Sequence, residues 1–171
     1  MVKKPGVVSI FLIAATLFAG VTIRKHVFSV SRVSGDSMSP TLHEGDLVFI
    51  EKWDREFKPD DIVVFQPPFS KTETFIKRLI AGPGSEVMIN DFKVVVNSKV
   101  YAESALTPPT WGDRPFECRF SGVYQTHARE YFVLGDNRCM SGDSRAFGAV
   151  AYDNIKGKVV YVLKLGRRKL K

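Results

Sequence analysis

The chain has 171 residues, 44% of them apolar, which can fill one hydrophobic core but hardly the cores of two independent domains. Its formal net charge of +7 lies at the two ends, because residues 33–163 contain 15 Lys and Arg against 18 Asp and Glu. A slightly acidic body argues against a nucleic-acid-binding protein, whereas two basic ends suit contact with anionic lipid headgroups.

The first predicted element is an apolar segment, Val7 to Ile23, in a stretch without charge that begins at Pro5. As a helix this stretch is about 28 Å long, close to the ~30 Å thickness of the hydrocarbon core. A cleavable signal peptide is the alternative, but its apolar region is usually about 7–15 residues long. We therefore predict a retained transmembrane anchor over residues 5–24 after a short cytoplasmic N-terminus, residues 1–4. Basic residues on both sides of the anchor leave its orientation open.

The remainder of the chain, residues 25–171, has short β-branched and aromatic runs separated by turns, which is typical of a mostly β domain. A hairpin is predicted over Lys93 to Tyr101, with its turn at Asn97 and Ser98, and an earlier turn at Asn90 and Asp91. The segment 103–122 is predicted to be an irregular excursion. Strands are predicted at VFIEK after Gly45 and Asp46, IVVF at 62–65, TFIKRLI at 74–80, and VVYVLKL near the end.

The polar stretch SGDSMSPTL, Ser34 to Leu42, places Ser37 shortly after the apolar segment. A serine hydroxyl is a weak nucleophile until a neighbouring group accepts its proton, and histidine is the usual acceptor. His26, His43 and His127 do not lie in informative motifs, and no metal-site motif such as HExxH or paired CxxC is present. Lysine is the alternative base, provided that burial among apolar neighbours lowers its pKa from about 10.4.

Lys77 is the lysine that fits this requirement, because it lies inside the apolar run TETFIKRLIAGPG. Strand alternation places its side chain on the same face as Phe75 and Leu79, with Arg78 on the opposite face. Taken alone, the segment favours a structural interpretation, in which Lys77 and Arg78 form a solvated pair on an edge strand.

A third stretch, FVLGDNRCMSGDSRAFGAV from Phe132 to Val150, has more hydrogen-bonding side chains than a simple turn requires. Its structural interpretation is an Asx-rich turn in which an aspartate–arginine pair holds a loop. The polar residues of this stretch are Asp136, Asn137, Arg138, Ser141, Asp143, Ser144 and Arg145.

In order and spacing, SGDSMSPTLHEGDLVFIEK, FIKRLIAGPG and LGDNRCMSGDSRAFGAV resemble the successive boxes of the type I signal peptidases, membrane-bound serine proteases that remove signal peptides. The resemblance extends from the anchor to about residue 160. It implies an antiparallel β-sheet catalytic domain of the signal peptidase type, preceded by one N-terminal transmembrane helix.

By position, the resemblance implies that Ser37 is the nucleophile and Lys77 the general base of a Ser–Lys dyad. It further implies that Ser141 hydrogen-bonds the lysine amine and orients it, and that the backbone N–H of Ser37 donates to the oxyanion. A serine that adds a second oxyanion donor in some relatives is replaced here by Gly35. The residues that the resemblance assigns to bracing the site are Gly135, Asp136, Asp143 and Arg145, and those assigned to contact with substrate are Val33, Met38 and Ile76.

The resemblance also implies the partners and the location of the protein. Its substrates are expected to be preproteins with Ala-x-Ala cleavage sites, its other partner is membrane lipid, and neither metal, cofactor nor nucleic acid is expected. The expected location is a bacterial plasma membrane, ahead of an organellar inner membrane, with the N-terminus in the cytoplasm and the catalytic domain outside. An inactive membrane-anchored β domain that only binds preproteins or a partner subunit is the alternative. Whether Cys118 and Cys139 form a disulfide is left open by their spacing.

Overall fold

The computed structural model describes residues 27–91, 93–101 and 120–165. These residues confirm the prediction of a mostly β, antiparallel chain. Between residues 28 and 165 the helical elements described are α1 (Ser144–Phe147) and 3₁₀ turns at Arg138–Met140 and Tyr152–Asn154. The strands are β1 (Phe28–Arg32), β2 (Leu47–Glu51), β3 (Ile62–Phe65), β4 (Phe75–Ala81), β5 (Glu86–Asn90), β6 (Lys93–Val96), β7 (Lys99–Val100), β8 (Ser121–Gln125), β9 (Glu130–Leu134), β10 (Val150–Ala151) and β11 (Ile155–Leu163).

The strands form two sheets, in which every pairing is antiparallel. The larger sheet has seven strands in the order β1-β2-β11-β3-β4-β9-β10, and the smaller has four in the order β7-β6-β5-β8. The last strand, β11, returns to the middle of the larger sheet and joins β2 to β3. The strand that follows the Ser37 segment, β2, and the strand pair that includes Lys77, β3 and β4, are therefore joined into one sheet by β11.

The predicted hairpin is confirmed as the pair β6–β7. Asn97 and Ser98 both have positive φ angles, 50° and 64°, which a two-residue turn requires if it is to match the twist of the strands. The earlier turn is confirmed at Asp91, whose φ is 55° and which leads from β5 into β6.

Buried side chains form three apolar clusters. One cluster, including Ile80 and Phe132 from the larger sheet and Val87 and Ile89 from β5, packs the two sheets together. A second lies on one face of the larger sheet. The third supports the turn that carries Ser37, and its buried members are Val33, Met38, Leu42, Val48, Ile50 and Val64.

Strand β4 lies inside the larger sheet, between β3 and β9. Lys77 is opposite Val63 of β3, and only 4% of its surface is exposed. The interpretation of Lys77 and Arg78 as a solvated edge pair is therefore wrong. The predicted alternation is confirmed, because Phe75 packs with buried Leu79 on one face whereas Ile76 packs against the cluster on the other.

Three expectations fall wholly or partly outside the described residues. The N-terminus and anchor, residues 1–24, lie outside them, and no helix in the described part of the chain is long and apolar enough to cross a membrane. Most of the predicted excursion also lies outside, but Ser121 and Gly122, which it included, belong to β8 and pair with β5. Cys139 is disulfide-bonded, and Cys118, the only other cysteine of the sequence, is not described.

Candidate active site

Ser37 lies in a compact turn that is closed at its base. The backbone N–H of Val33 donates to the carbonyl of Asp46 at 2.8 Å, and the N–H of Gly45 donates to the carbonyl of Val33 at 2.9 Å. Met38, directly after the serine, is 1% exposed and packs into the third cluster. Burial of Met38 fixes the backbone beside it, so the hydroxyl of Ser37 is carried on a preorganised turn.

The side chains of Ser37 and Lys77 meet across the sheet. Lys77 Nζ lies 2.6 Å from Ser37 Oγ, within hydrogen-bond distance. Neither described histidine is the partner of the Ser37 hydroxyl. The ring of His43 lies 3.4 Å from Ser39 Oγ, and His127 lies in the turn before β9, where its backbone N–H donates to Glu130. The side chain that can exchange a proton with Ser37 is therefore the lysine.

Burial lowers the pKa of Lys77 from 10.5 to about 8, because the charged ammonium loses its hydration inside the sheet. The carboxylates of Asp143 and Asp136 act in the opposite direction, but less strongly. Each of them is already paired with an arginine, which reduces the negative potential at the amine. At pH 7 roughly one lysine in ten is then neutral, against one in a few thousand for a free lysine.

Buried Asp136 and half-buried Arg78 form a brace next to the dyad. The guanidinium of Arg78 binds both carboxylate oxygens of Asp136, with Nε to Oδ1 at 2.8 Å and Nη2 to Oδ2 at 2.7 Å. Thr41, in the serine turn, donates its hydroxyl to the same carboxylate. Asp136 therefore connects β4 to the turn that carries Ser37.

Asp143 organises the loop after β9 in a similar way. It accepts hydrogen bonds from the backbone N–H of Gly135 at 3.0 Å and from Nε of Arg145 at 2.8 Å. Arg145 Nη2 also donates to the carbonyl of Arg138 at 2.6 Å. The loop is thereby held in one shape by charge-assisted hydrogen bonds.

The same loop contacts the nucleophile through backbone groups. The N–H of Asn137 donates to the carbonyl of Ser37 at 3.0 Å, and its side-chain Nδ2 donates to the carbonyl of Asp36 at 3.1 Å. Gly135 leaves room for this approach, because a Cβ there would lie 2.6 Å from the Ser37 carbonyl oxygen and 2.1 Å from Ser141 Oγ. A side chain at position 135 would therefore displace Ser37 or Ser141.

Ser141 is in the predicted place but does not make the predicted hydrogen bond. Its Oγ is buried and has no hydrogen-bond partner among the described residues. A buried polar atom without a partner costs about 1–3 kcal/mol. The Ser141 hydroxyl therefore lies beside Gly135, in the loop that packs on Ser37, and is able to form a further hydrogen bond.

A groove of about 370 Å³ opens at the dyad. One wall is the segment Ser31–Ser34 and the other is Thr74–Lys77, with Ser37, Met38, Val64 and Gly142 between them. All three residues predicted to contact substrate, Val33, Met38 and Ile76, line it.

The edge of β4 that faces the groove is open. Residues 75–77 pair with β3 on one side, but pairing with β9 on the other begins only at Arg78. An extended peptide can add to an unpaired strand edge of this kind. The arrangement therefore combines a hydroxyl, a basic amine and a place for an extended chain.

The structure brings every predicted site residue to this region. Sequence reasoning missed three positioning residues, Thr41, Arg78 and Asn137. Their signal was weak: Asn137 was one polar residue among many, and Arg78 was expected to face outward. Gly35 has a φ of 77°, a conformation that a side chain would strain, which agrees with the missing second donor hydroxyl.

Comparisons with known proteins identify the family of this chain. The sequence profile of the family described as "Signal peptidase, peptidase S26" matches residues 6–164. The chain is 35% identical over 158 residues to signal peptidase I T of Bacillus subtilis, covering 88% of this chain and 81% of that one. It is 37% identical over 149 residues to signal peptidase I of Bacillus caldolyticus, covering 81% and 80%.

A solved structure gives the same result for the fold. The crystal structure of a signal peptidase I from Enterococcus faecalis superposes with a TM-score of 0.53 at 28% sequence identity, covering 61% of this chain and 97% of that chain. The matched profile extends over most of the chain, and two relatives exceed 30% identity over most of their lengths. The chain therefore belongs to the signal peptidase family, peptidase S26, and is a serine endopeptidase.

Proposed function

We propose that this protein removes N-terminal signal peptides from exported preproteins, cutting after the second small residue of an Ala-x-Ala site. The observation that carries the proposal is the 2.6 Å contact between Ser37 Oγ and a buried lysine whose pKa is about 8. Such an amine is neutral often enough at physiological pH to accept the proton of a serine hydroxyl.

The reaction proceeds through an acyl-enzyme. Neutral Lys77 accepts the hydroxyl proton as Ser37 Oγ attacks the scissile carbonyl, and the backbone N–H of Ser37 donates to the resulting oxyanion. The ammonium then gives its proton to the leaving amine, which departs with the mature protein. Lys77, neutral again, accepts a proton from the water that attacks the ester, and returns it to Ser37 Oγ as the ester bond breaks and the signal peptide leaves.

The groove favours an extended substrate with small side chains at two positions. The open edge of β4 extends from Lys77 back to Phe75, so a peptide that pairs with it has its scissile bond at the Lys77 end. Val33, Met38 and Ile76 line an apolar surface next to the hydroxyl, with little depth because Val33 and Met38 are themselves buried. Alanine side chains one and three residues before the scissile carbon fit such a surface.

An exposed apolar face supports attachment to a membrane. On the outer side of the larger sheet, Val30 of β1 and Tyr161 of β11 flank Phe49 of β2, and they are 56% and 60% exposed. Phe28 and Leu163 extend this face and are 45% and 41% exposed. Contiguous exposed apolar surface is characteristic of interaction sites.

The sequence on either side of this face has a composition that fits a bilayer. Strand β1 follows the apolar segment Val7 to Ile23 after four residues, and β11 directly precedes the basic C-terminal residues. The protein is thereby proposed to be anchored in a bacterial plasma membrane, with a cytoplasmic N-terminus and the catalytic domain outside. Holding enzyme and substrate at one height above the bilayer lowers the entropy cost of their meeting.

Cleavage of a purified preprotein tests the function. Detergent-solubilised full-length protein is compared with Ser37→Ala and Lys77→Met, using a preprotein with an Ala-x-Ala site. We expect the wild type alone to cut after the second alanine. Equal cutting by all three would identify a contaminating protease, and binding without cutting would favour the inactive binder. Labelling of Ser37 by a lactam acylating agent separates the active enzyme from the inactive binder, because a binder does not react.

Orientation needs a separate experiment. A protease added outside intact cells should degrade a reporter fused to the C-terminus. Degradation only by a protease in the cytosol would contradict the proposed topology.

A further inference from the structure

Arg78 lies between two carboxylates, although only one of them binds it closely. Asp136 accepts hydrogen bonds from Nε and Nη2 at 2.8 Å and 2.7 Å. On the other side, the backbone carbonyl of Asp60 accepts from Nη1 at 3.1 Å, while Oδ1 of its carboxylate stays 4.0 Å from Nη1. A movement of roughly 1 Å would bring that carboxylate within hydrogen-bond distance. The guanidinium therefore has a second acceptor close by.

The backbone of Asp60 is fixed, whereas its side chain has room to move. Its N–H donates to the carbonyl of Leu79 at 2.9 Å, and the N–H of Leu79 donates to the carbonyl of Asp61 at 2.8 Å. Its φ is 78°, in a region that aspartate adopts more readily than most residues. Its side chain is 54% exposed. Rotation of the side chain is therefore enough to bring the carboxylate to Arg78.

The hydroxyl of Tyr101 holds the Asp60 carboxylate in its observed position. Tyr101 directly follows β7 of the smaller sheet, and its ring packs against the cluster between the two sheets. Its backbone N–H donates to the carbonyl of Val94 at 2.9 Å. From this fixed place the hydroxyl donates to Oδ1 of Asp60, the same oxygen that lies 4.0 Å from Arg78. The hydrogen bond therefore occupies the oxygen that faces the guanidinium.

Binding of Arg78 to the Asp60 carboxylate would weaken its contact with Asp136. The N–H donors of a guanidinium are held in one rigid plane, so a shift toward one carboxylate draws the group away from the other. Asp136 also accepts a hydrogen bond from Thr41, in the turn that carries Ser37. Partial release of Asp136 would therefore loosen the connection between β4 and the nucleophile.

We propose that Tyr101 is a positioning residue that holds the Asp60 carboxylate away from Arg78. The guanidinium then stays on Asp136, and the turn that carries Ser37 keeps its place. This inference rests on the proposed function, in which Ser37 is the nucleophile. Tyr101 does not line the described groove, so it acts on the reaction through Arg78. The smaller sheet thereby influences the catalytic geometry through one hydroxyl.

Two substitutions and their combination test this competition between carboxylates. Full-length protein in detergent is given an Ala-x-Ala peptide, and kcat, KM and the urea midpoint are measured for each variant. Tyr101→Phe removes the hydroxyl and keeps the ring. Asp60→Asn removes the competing charge, and asparagine tolerates the positive φ. The third variant combines the two changes. Tyr124→Phe is the matched control, because its ring packs against the same cluster from β8.

We expect Tyr101→Phe to lower kcat about fivefold, the scale of one lost hydrogen bond, with KM changed by less than about twofold. Asp60→Asn and Tyr124→Phe should each retain kcat within about twofold of the wild type. The combined variant should also return to within about twofold of the wild type, because a neutral amide competes weakly for a guanidinium. A hydroxyl that only stabilised the fold would give no such rescue.

A combined variant as slow as Tyr101→Phe would overturn the positioning role, and so would wild-type kcat in Tyr101→Phe. Both results leave the proposed function intact. An equal loss in Tyr124→Phe would assign the effect to packing between the sheets and overturn the role of the hydroxyl. Absence of cleavage by the wild type would instead overturn the proposed function, and the positioning role with it.

Discussion

Lys77 and Arg78 are consecutive residues of β4 that point to opposite faces and enter opposite environments. Lys77 is buried against a serine hydroxyl, and loss of hydration lowers its pKa to about 8. Arg78 is half-buried against a carboxylate, and its hydrogen bonds to Asp136 raise the pKa of the guanidinium above its usual value. The contrast shows how one sheet supplies a base on one face and a brace on the other. Lys77 has no carboxylate in direct contact among the described residues, so its amine loses its proton more readily. Arg78 is bound by Asp136, so it stays charged and holds two segments together.

The largest expected effect is on kcat/KM, when Lys77 is replaced by the type of cation found at position 78. In Lys77→Arg the side chain keeps its charge at every accessible pH, because a guanidinium does not titrate below about pH 12. Without a proton acceptor, kcat/KM should fall by at least about 10⁴-fold, the scale seen when a member of a catalytic unit is lost. Peptide cleavage measured at pH 8 checks this, with folding monitored by circular dichroism.

The reciprocal change, Arg78→Lys, is the matched control. A lysine there keeps the charge opposite Asp136 but cannot bind both oxygens at once. We expect kcat/KM to fall by no more than about tenfold, since the base remains. Equal losses in the two variants would mean that position 77 is no more important to the chemistry than position 78.

Removing the carboxylate beside Arg78 should destabilise the fold by about 3 kcal/mol, because Asp136→Asn leaves the largely buried guanidinium with only a 4.0 Å carboxylate contact, to exposed Asp60. The two side chains are 12% and 1% exposed. The exposed pair Arg129–Asp153 provides the control: its side chains are 66% and 79% exposed, and Asp153→Asn should change stability by less than about 1 kcal/mol. Urea denaturation of both variants makes the comparison, and similar losses would contradict the role of Asp136 as a brace.

Lys77→Met should have the opposite effect on stability. The pKa of this lysine is lower in the folded protein than in the unfolded chain, so the wild type is destabilised below about pH 8 and recovers as the pH rises toward 10.5. At pH 7 the penalty is up to about 3 kcal/mol, at about 1.4 kcal/mol per pH unit. We expect the variant to be more stable by up to that amount at pH 7, with the advantage shrinking between pH 8 and 10.5.

Lys158 offers a comparison of opposite sign. Its hydrogen bond to Asp54 raises its pKa, so Lys158→Met should lose stability below pH 10.5. Urea denaturation at pH 7 and pH 10 measures both variants. A Lys77→Met variant that is less stable than the wild type at pH 7 would show that burial of the charged lysine does not lower the free energy of unfolding.

Much of the fold could be predicted from the sequence, because local patterns carry it. The runs of β2, β3, β4 and β11 are β-branched and aromatic, and the Asn97-Ser98 turn requires the positive φ angles that those residues tolerate. Alternation placed Lys77 on the face of Phe75 and Leu79 correctly. It could not show whether β4 was an edge strand or an inner strand, because that depends on its pairing with β9, far along the chain.

The less predictable part of the site depends on contacts between distant segments. Arg78 and Asp136 are 58 residues apart, and Asn137 reaches Asp36 across 101 residues. A local sequence pattern does not predict which of these distant residues come into contact. Ser141 illustrates the opposite limit: the family resemblance gave its position, but its hydrogen bond to the lysine is not formed, since its Oγ is buried without a partner among the described residues.

The most direct test of the account is the dependence of kcat/KM on pH between 6 and 10, measured with an uncharged Ala-x-Ala peptide substrate. Neutral Lys77 is the active form, so the rate should rise about tenfold per pH unit below the pKa of Lys77 and level off near pH 8. A rate that continued to rise to pH 10 would show an unperturbed lysine, and a rate that did not change with pH would show that Lys77 is not the base.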